Sequence, residues 1–291
     1  MLSASMISEL CGLSRARIVT DLVSALVEID GIEAIVLGGS YARGRARPDS
    51  DIDLGILYRD SRTFSIDRIR ELAQFVDDTG SPVVSGYYEW GPWVNGGAWL
   101  TIGGQRVDFL YRSIDKIESV FADARAGQYE VHYLQQPPFG FMSVTYLGEV
   151  RSCVPLSDPN GIFVDLKREA ASYPDALRTV LIRDFLFMAG FNLNSFASKF
   201  VSRGDSFGSV ACFARAVNEM ATALFAANRT YPVNDKTLLD EIDEFPIAPE
   251  RFAARAREIL SRPGSDTIEL TSNVDRLKDL LSETTALVAG F

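Results

Sequence analysis

Asp51-Ile52-Asp53 sets two carboxylates two residues apart at the head of a run, Leu54-Gly55-Ile56-Leu57, that is otherwise apolar. Side chains of an extended strand alternate between its faces, so Asp51 and Asp53 project together while Ile52 and Leu54 face the other way. Neighbouring carboxylates in a partly enclosed site repel each other unless a cation sits between them. Mg²⁺ takes hard oxygen ligands from one or two carboxylates and fills its shell with water and phosphate oxygens. The segment therefore predicts a strand with one buried face, whose leading end opens onto a site for a triphosphate and its metal.

The preceding residues supply the other half of such a site. Ile35-Val36-Leu37 is a short apolar run ended by Gly38-Gly39, which reads as a buried strand meeting a tight turn. Glycine lets the backbone approach a phosphate closely, and N–H groups at such a turn donate to its oxygens. The Ser40 hydroxyl adds a donor, and Arg43 and Ser50 are placed to reach the same anion. Residues 41–50, YARGRARPDS, read as a loop with one helical turn at its start.

Around this segment the pattern is mixed. Ser14 is a candidate helix cap ahead of Ile18, Val19, Leu22, Val23, Leu26 and Val27, which recur at helical spacing until Gly31. Ser65–Val76 is an amphipathic helix and Pro82–Tyr88 is strand-like. Residues 99–111 read as a β-hairpin turning at Gly103-Gly104. From Pro137-Pro138 to about Asn160 the chain is rich in Pro, Gly and Ser, which predicts a domain junction. Beyond it, helices are expected over 164–172, 174–200, 208–228, 235–245, 249–261 and 275–289, with Phe185, Phe187, Phe191 and Phe196 in their core. The predicted class is α+β. A domain over 1–155, a small mixed β-sheet with helices on one face, precedes an all-helical bundle domain over 156–291.

A buried strand, Gly-Ser, a loop of about ten residues and Asp-x-Asp in the next strand together resemble the signature of the DNA polymerase β-like nucleotidyltransferase superfamily. That superfamily places a third carboxylate on a nearby strand between apolar residues, and Asp108 in Arg106-Val107-Asp108-Phe109-Leu110 is similar. The form Gly-Ser-x-x-x-Gly followed by Ser-Asp-x-Asp resembles the small-molecule (aminoglycoside-type) and stand-alone branch. The resemblance spans roughly residues 30–115. It implies that Asp51 and Asp53 ligate two Mg²⁺ ions, and that Asp108 ligates the ion near the acceptor hydroxyl and helps to deprotonate it. It implies ATP as donor, departure of pyrophosphate, and attachment of AMP to a hydroxyl of a small acceptor such as an aminoglycoside-like antibiotic. It also implies a lysine of the helical domain against the triphosphate. Lys236, in Asn234-Asp235-Lys236 before an apparent helix, is the candidate, with Lys199 second; a plain helix cap beside an exposed lysine is the alternative.

Charge narrows the acceptor. The net charge is −10 and 47% of residues are hydrophobic, with a pI near 4.8. Sequence-independent nucleic-acid binding needs clustered Lys and Arg, so a small or cationic second substrate fits better than nucleic acid, and an acidic surface that only keeps the protein in solution is the plainer reading of the charge. Cys11, Cys153 and Cys212 are dispersed and odd in number, which excludes a disulfide framework or zinc site and predicts reduced thiols. His132 is the single histidine. The N-terminus reads as no secretory signal and no charge-free apolar run reaches membrane length, so the cytoplasm is the expected compartment. Asp240, Glu241, Asp243 and Glu244 form an acidic cluster, read as a solvated helix face; Glu89, Trp90 and Trp93 fall near the expected mouth of the site. Two rivals stay open: nucleotidylation of a protein or tRNA acceptor, as in a toxin, antitoxin or regulator, and a module that binds Mg-nucleotide without turnover.

Overall fold

Ala34–Leu37 forms β1, with all four residues buried. It pairs antiparallel with β2, Ile52–Tyr58, Leu37 standing opposite Leu54. The computed structural model describes residues 2–290. Val83–Val84 (β3), Gly97–Ile102 (β4), Gln105–Ser113 (β5) and Val154–Ser157 (β8) complete a six-stranded sheet, while Val131–His132 (β6) and Phe141–Met142 (β7) form a separate ribbon. The order is β3-β4-β5-β2-β1-β8. β2 and β5 run parallel; the other neighbours are antiparallel.

Alternation dictates which face is covered. Ile52, Leu54, Ile56 and Tyr58 of β2 share one buried cluster with Val107, Phe109 and Tyr111 of β5. Helices α1 (Ala4–Cys11), α2 (Leu13–Leu26) and α4 (Ile66–Val76) lay Ile7, Val19, Leu22, Leu26, Ile69 and Ala73 onto it. The helical turn α3 (Gly39–Ala42) follows β1 directly. The mixed sheet is thus present, with these three helices on one face and the helix over Thr145–Ser152 reaching the other through the Arg112–Glu149 pair. Its helical cap differs from expectation: Gly12, not Ser14, precedes α2, and Ser3 caps α1 by accepting from the Met6 N–H.

On the other face, Arg112 of β5 is buried and forms a bidentate pair with Glu149 of α6 (Thr145–Ser152), after α5 (Ile114–Arg125). Its Nε and Nη2 donate to the two carboxylate oxygens at 2.7 and 2.8 Å, and Nη1 donates to the carbonyls of Val94 and Tyr111. Burial pushes its pKa down, but the Glu149 carboxylate outweighs that and holds the guanidinium above its ordinary value. Helix α7 (Ile162–Ala170) follows β8. β8 itself lies in the stretch read as a Pro/Gly/Ser-rich connection. Its Pro155, opposite Val36, is tolerated because β8 is an edge strand and its missing N–H breaks no inner ladder.

The chain divides into two compact units, one comprising residues up to Ala122 and Glu130–Ser172, the other Asp123–Tyr129 and the chain from Tyr173 onward. The second is helical: α8 (Asp175–Phe191), a π-helical turn (Asn192–Ala197), α9 (Ser198–Val201), α10 (Ser206–Ala227), α11 (Leu238–Ile242), α12 (Phe252–Ser261) and α13 (Thr267–Val288). α10 is apolar and long enough to cross a membrane by composition, yet 72% of its apolar window is buried within the protein, so it is the core helix of this unit. α13 begins eight residues earlier than periodicity predicts, because Asp266 accepts from the N–H groups of Ile268 and Glu269 and starts it there. Phe187, Phe191 and Phe196, expected in the core, are exposed and pack on one another. The core is filled instead by Leu193, Phe213, Met220, Leu224, Phe252 and Leu277.

Removing one partner of a buried ion pair leaves an uncompensated charge, a loss of about 3–5 kcal/mol. Glu149→Leu is therefore expected to destabilise the first unit by that amount, and Arg112→Met/Glu149→Leu to recover most of it. Chemical denaturation followed by tryptophan fluorescence reads this directly, since Trp90, Trp93 and Trp99 all lie in the first unit.

Candidate functional site

The turn after β1 is built around a close approach. The buried Gly38 donates its N–H to the Asp53 carbonyl at 2.8 Å. Gly39 has φ +59°, and a Cβ placed on it would lie 1.7 Å from Asp53 Oδ2. The Asp53 carboxylate thus rests against bare backbone, in a conformation that other L-residues adopt only with strain. Behind the turn, Cys153 Sγ lies 3.3 Å from the position of a Gly38 Cβ. Burial pushes this thiol up to about 12, so it fills space as a neutral group.

The strand register brings the acids together. Asp53 stands opposite Asp108 across the parallel β2–β5 pair, so both carboxylates lie on the same face of the sheet. Asp51 immediately precedes β2 on that face. Its Oδ1 is ion-paired to Arg106 Nε at 2.5 Å, and Arg106 Nη2 also donates to the Asp49 carbonyl at 3.2 Å. The Arg106 side chain is 64% exposed, and a pair this open to solvent contributes only about 0–1 kcal/mol. It is easily exchanged for another partner. Among the described residues no three His, Cys, Asp or Glu side chains already converge as a metal cage.

The loop joining the turn to the Asp-x-Asp strand is tied down from outside. Arg15 of α2 donates to the Pro48 carbonyl at 2.9 Å and to Gln105 Oε1 at 2.8 Å, and its guanidinium lies over the Tyr41 ring. Gln105 Nε2 donates in turn to the Ser50 carbonyl at 2.9 Å. The Ser50 hydroxyl accepts from the Arg47 N–H at 2.8 Å within the loop. Ser40 lies within the helical turn and Arg43 caps its C-terminal end, and both are half-buried. Arg15 and Gln105 were not singled out from the sequence; Gln105-Arg106 directly before Val107-Asp108 was the available sign that the hairpin end carries polar anchors.

The aromatic residues separate. Trp93 is buried, packed beside Phe141, Tyr146 and His132. Trp99 stands opposite Asp108 across the antiparallel β4–β5 pair and is 52% exposed. Trp90 stacks on it, ring centroids 4.8 Å apart.

The remaining candidates have local partners. His132 Nε2 lies 3.1 Å from Glu130 Oε2. In the second unit, Lys236 is exposed and its N–H donates to Asn234 Oδ1 at 2.9 Å, so Asn234 rather than Asp235 organises that turn. Lys199 sits over the Phe196 ring. Within the acidic cluster, Asp240 pairs with Arg257, Glu241 accepts from the Thr237 hydroxyl at 2.5 Å, and Asp243 accepts from the Ala253 N–H.

Residues 19–91 match the family model described as a nucleotidyltransferase domain, and residues 141–236 match that of a domain of unknown function (DUF4037). Comparison with curated proteins gives no match. Among solved structures, a nucleotidyltransferase-like protein from Exiguobacterium sibiricum is similar, with 12% identity and a TM-score of 0.44 over 95% of this chain and 78% of that one. The first match contains Gly39, Ser40, Arg43, Ser50, Asp51 and Asp53. Residues 19–91 thus match a nucleotidyltransferase domain, and the class of chemistry that such a domain performs is transfer of a nucleotidyl group from a nucleotide substrate.

Gly39→Ala introduces a Cβ into the space that Asp53 Oδ2 occupies, at a left-handed φ. The strain is of order 1–3 kcal/mol, and the carboxylate has to move. The variant is expected to remain folded with a lowered melting temperature, and to lose at least about tenfold in nucleotide affinity by calorimetric titration.

Proposed function

We propose that this protein transfers an NMP group, AMP from ATP, to a hydroxyl of a small amine-bearing acceptor, using Asp53, Asp108 and Asp51 with the Gly39–Ser40 turn. The observation that carries the reading is the Asp53–Asp108 register on adjacent parallel strands, beside a turn whose backbone has no side chain between it and Asp53.

The donor set suits Mg²⁺. Two carboxylates in register with a third nearby match an ion that binds one or two protein carboxylates and completes its octahedron with water and phosphate oxygens. Asp53 and Asp108 would hold it, and Asp51 would join on release from Arg106. When bound, Mg²⁺ supplies charge stabilisation to the attacking and leaving oxygens. The chain supplies the rest. Gly39 and Ser40 present backbone N–H groups and a hydroxyl to the triphosphate, fixing the α-phosphorus in line with the acceptor. Asp108 receives the proton of the acceptor hydroxyl as its oxygen bonds to the α-phosphorus. The bond to the bridging oxygen breaks, and pyrophosphate leaves with the electron pair. Arg15 and Gln105, by holding the 43–50 loop, keep the turn and the acids in one geometry.

Thermal melting with each nucleoside triphosphate, with and without Mg²⁺, tests the reading. A ligand at about a hundred times its dissociation constant adds roughly 2.7 kcal/mol to the folded state. An upward shift with ATP that requires Mg²⁺ and disappears in Asp51→Asn/Asp53→Asn is the expected result. No shift with any triphosphate sinks the reading. A shift without turnover on any hydroxylated amine favours a binding module instead.

A further inference from the structure

In the second unit, α10 closes on an arginine where glycine is usual. Its end carries the bonds of a Schellman motif: the Thr230 N–H donates to the Phe225 carbonyl and the Arg229 N–H to the Ala226 carbonyl, both at 3.0 Å. Arg229 holds the left-handed position of that motif, φ +52°, which glycine fills freely and a side chain takes only with strain. Asn228 fixes it there. Its Nδ2 donates to the carbonyls of Leu224 and Ile247 at 2.8 Å each, and its Oδ1 accepts from the Ile247 N–H at 3.1 Å. Strained positions over-determined in this way concentrate at ligand sites, and this one presents a guanidinium.

The guanidinium lands at the head of α8. Arg229 Nη1 donates to the Tyr173 carbonyl at 3.1 Å, and Nη2 pairs with Asp175. Arg178, one turn into α8, comes to the same place, its Nη2 donating to the Ala227 carbonyl at 2.9 Å. Burial, and then the like charge of Arg229, pull the Arg178 guanidinium below its ordinary value. The Asp175 side chain is 82% exposed, so its pair with Arg229 holds little net energy and is readily given up. The helix adds its own positive end. α8 runs 17 residues, and Pro174 caps it with no side-chain hydrogen bond to the first N–H groups.

A buried donor completes the group. Tyr173 is 6% exposed and stacks on Tyr231, ring centroids 4.5 Å apart. Among the described residues its hydroxyl, shut off from solvent, has no hydrogen-bond partner, a state that is costly unless something else supplies one. Burial, and then Tyr231, push the phenol's pKa up while both guanidiniums pull against that, so the hydroxyl lies within their field. A ligand that meets two guanidiniums and helix N–H groups and still reaches this hydroxyl has to be small, anionic and rich in acceptor oxygens.

We propose that Tyr173, Arg178, Arg229 and the head of α8 form an oxyanion site for a phosphate-class anion, orthophosphate or pyrophosphate, which replaces Asp175 on Arg229. Tetrahedral oxygens suit this set of donors, since a guanidinium fork takes two of them and leaves others for the phenol and the helix. Every residue involved lies in the second unit, so the site stands independently of the nucleotidyltransferase reading. The free anion and the phosphate end of a nucleotide share the chemistry.

Calorimetric titration of the full chain with sodium phosphate and with sodium pyrophosphate, without Mg²⁺ and against sodium chloride at matched ionic strength, tests the site. At least one of the two phosphates is expected to bind, and chloride not. Arg229→Gly puts the usual residue at the strained position; it is expected to stay folded and to raise the dissociation constant at least about tenfold. Tyr173→Phe removes a buried hydroxyl; it is expected to melt no lower than wild type, yet to bind the anion at least about threefold more weakly. ATP affinity in the same variants separates the sources: no change marks a site for the free anion, and equal loss marks one for the phosphate end of the nucleotide. Failure of both phosphates to bind the wild type overturns the proposal. Unaltered affinity in folded Arg229→Gly and Tyr173→Phe overturns it too, because the anion then binds elsewhere.

Discussion

The parallel pairing of β2 with β5 is the constraint on which the rest of the site depends. It places Asp53 and Asp108 opposite each other, and the same register buries Ile52, Leu54, Ile56 and Tyr58 against Val107, Phe109 and Tyr111 on the reverse face. Because side chains alternate, a slip of one residue turns Asp108 into the core and Phe109 out to solvent. Core energetics and the placement of the acids are therefore one fact. The hydrophobic face specifies the register, and the register specifies the carboxylate pair.

The parts legible in the sequence are those where chemistry demands a residue type at a short spacing. Asp51 and Asp53 share a face by period two, and the glycine at 39 is legible because close approach of backbone to another group requires it. Structure then adds what Gly39 approaches, the Asp53 carboxylate, which sequence alone does not name. Asp108 was legible as an acid among apolar residues; its exact partner came only from strand register.

Other features come from partners far along the chain. Arg15 and Gln105 are ninety residues apart, and no local pattern pairs one with the other. β8 is four residues, Val-Pro-Leu-Ser, too short for a period, and is a strand because β1 offers it an edge. Phe187, Phe191 and Phe196 follow helical spacing, but spacing defines a stripe and not which stripe is covered. The π-helical turn at Asn192–Ala197 shifts that stripe within what periodicity reads as one helix. There Asn192, buried, donates to the Cys212 carbonyl, a hydrogen bond that no sequence pattern announces.

One face of β5 carries Arg106, Asp108, Leu110 and Arg112 in sequence, and its two arginines are used in opposite ways. Arg112 is buried and bidentate to Glu149, with carbonyls taking its remaining donor, so moving it leaves a desolvated charge. Arg106 is exposed and holds Asp51 through a pair of little net energy. The strand is therefore fixed at its inner end and adjustable at its outer end, with Asp108 between. A site that must hold a carboxylate pair in register, yet admit a highly charged ligand beside it, needs both. Rigidity keeps the acids aligned, and a weakly held cation relieves their repulsion until the ligand's own countercharge replaces it.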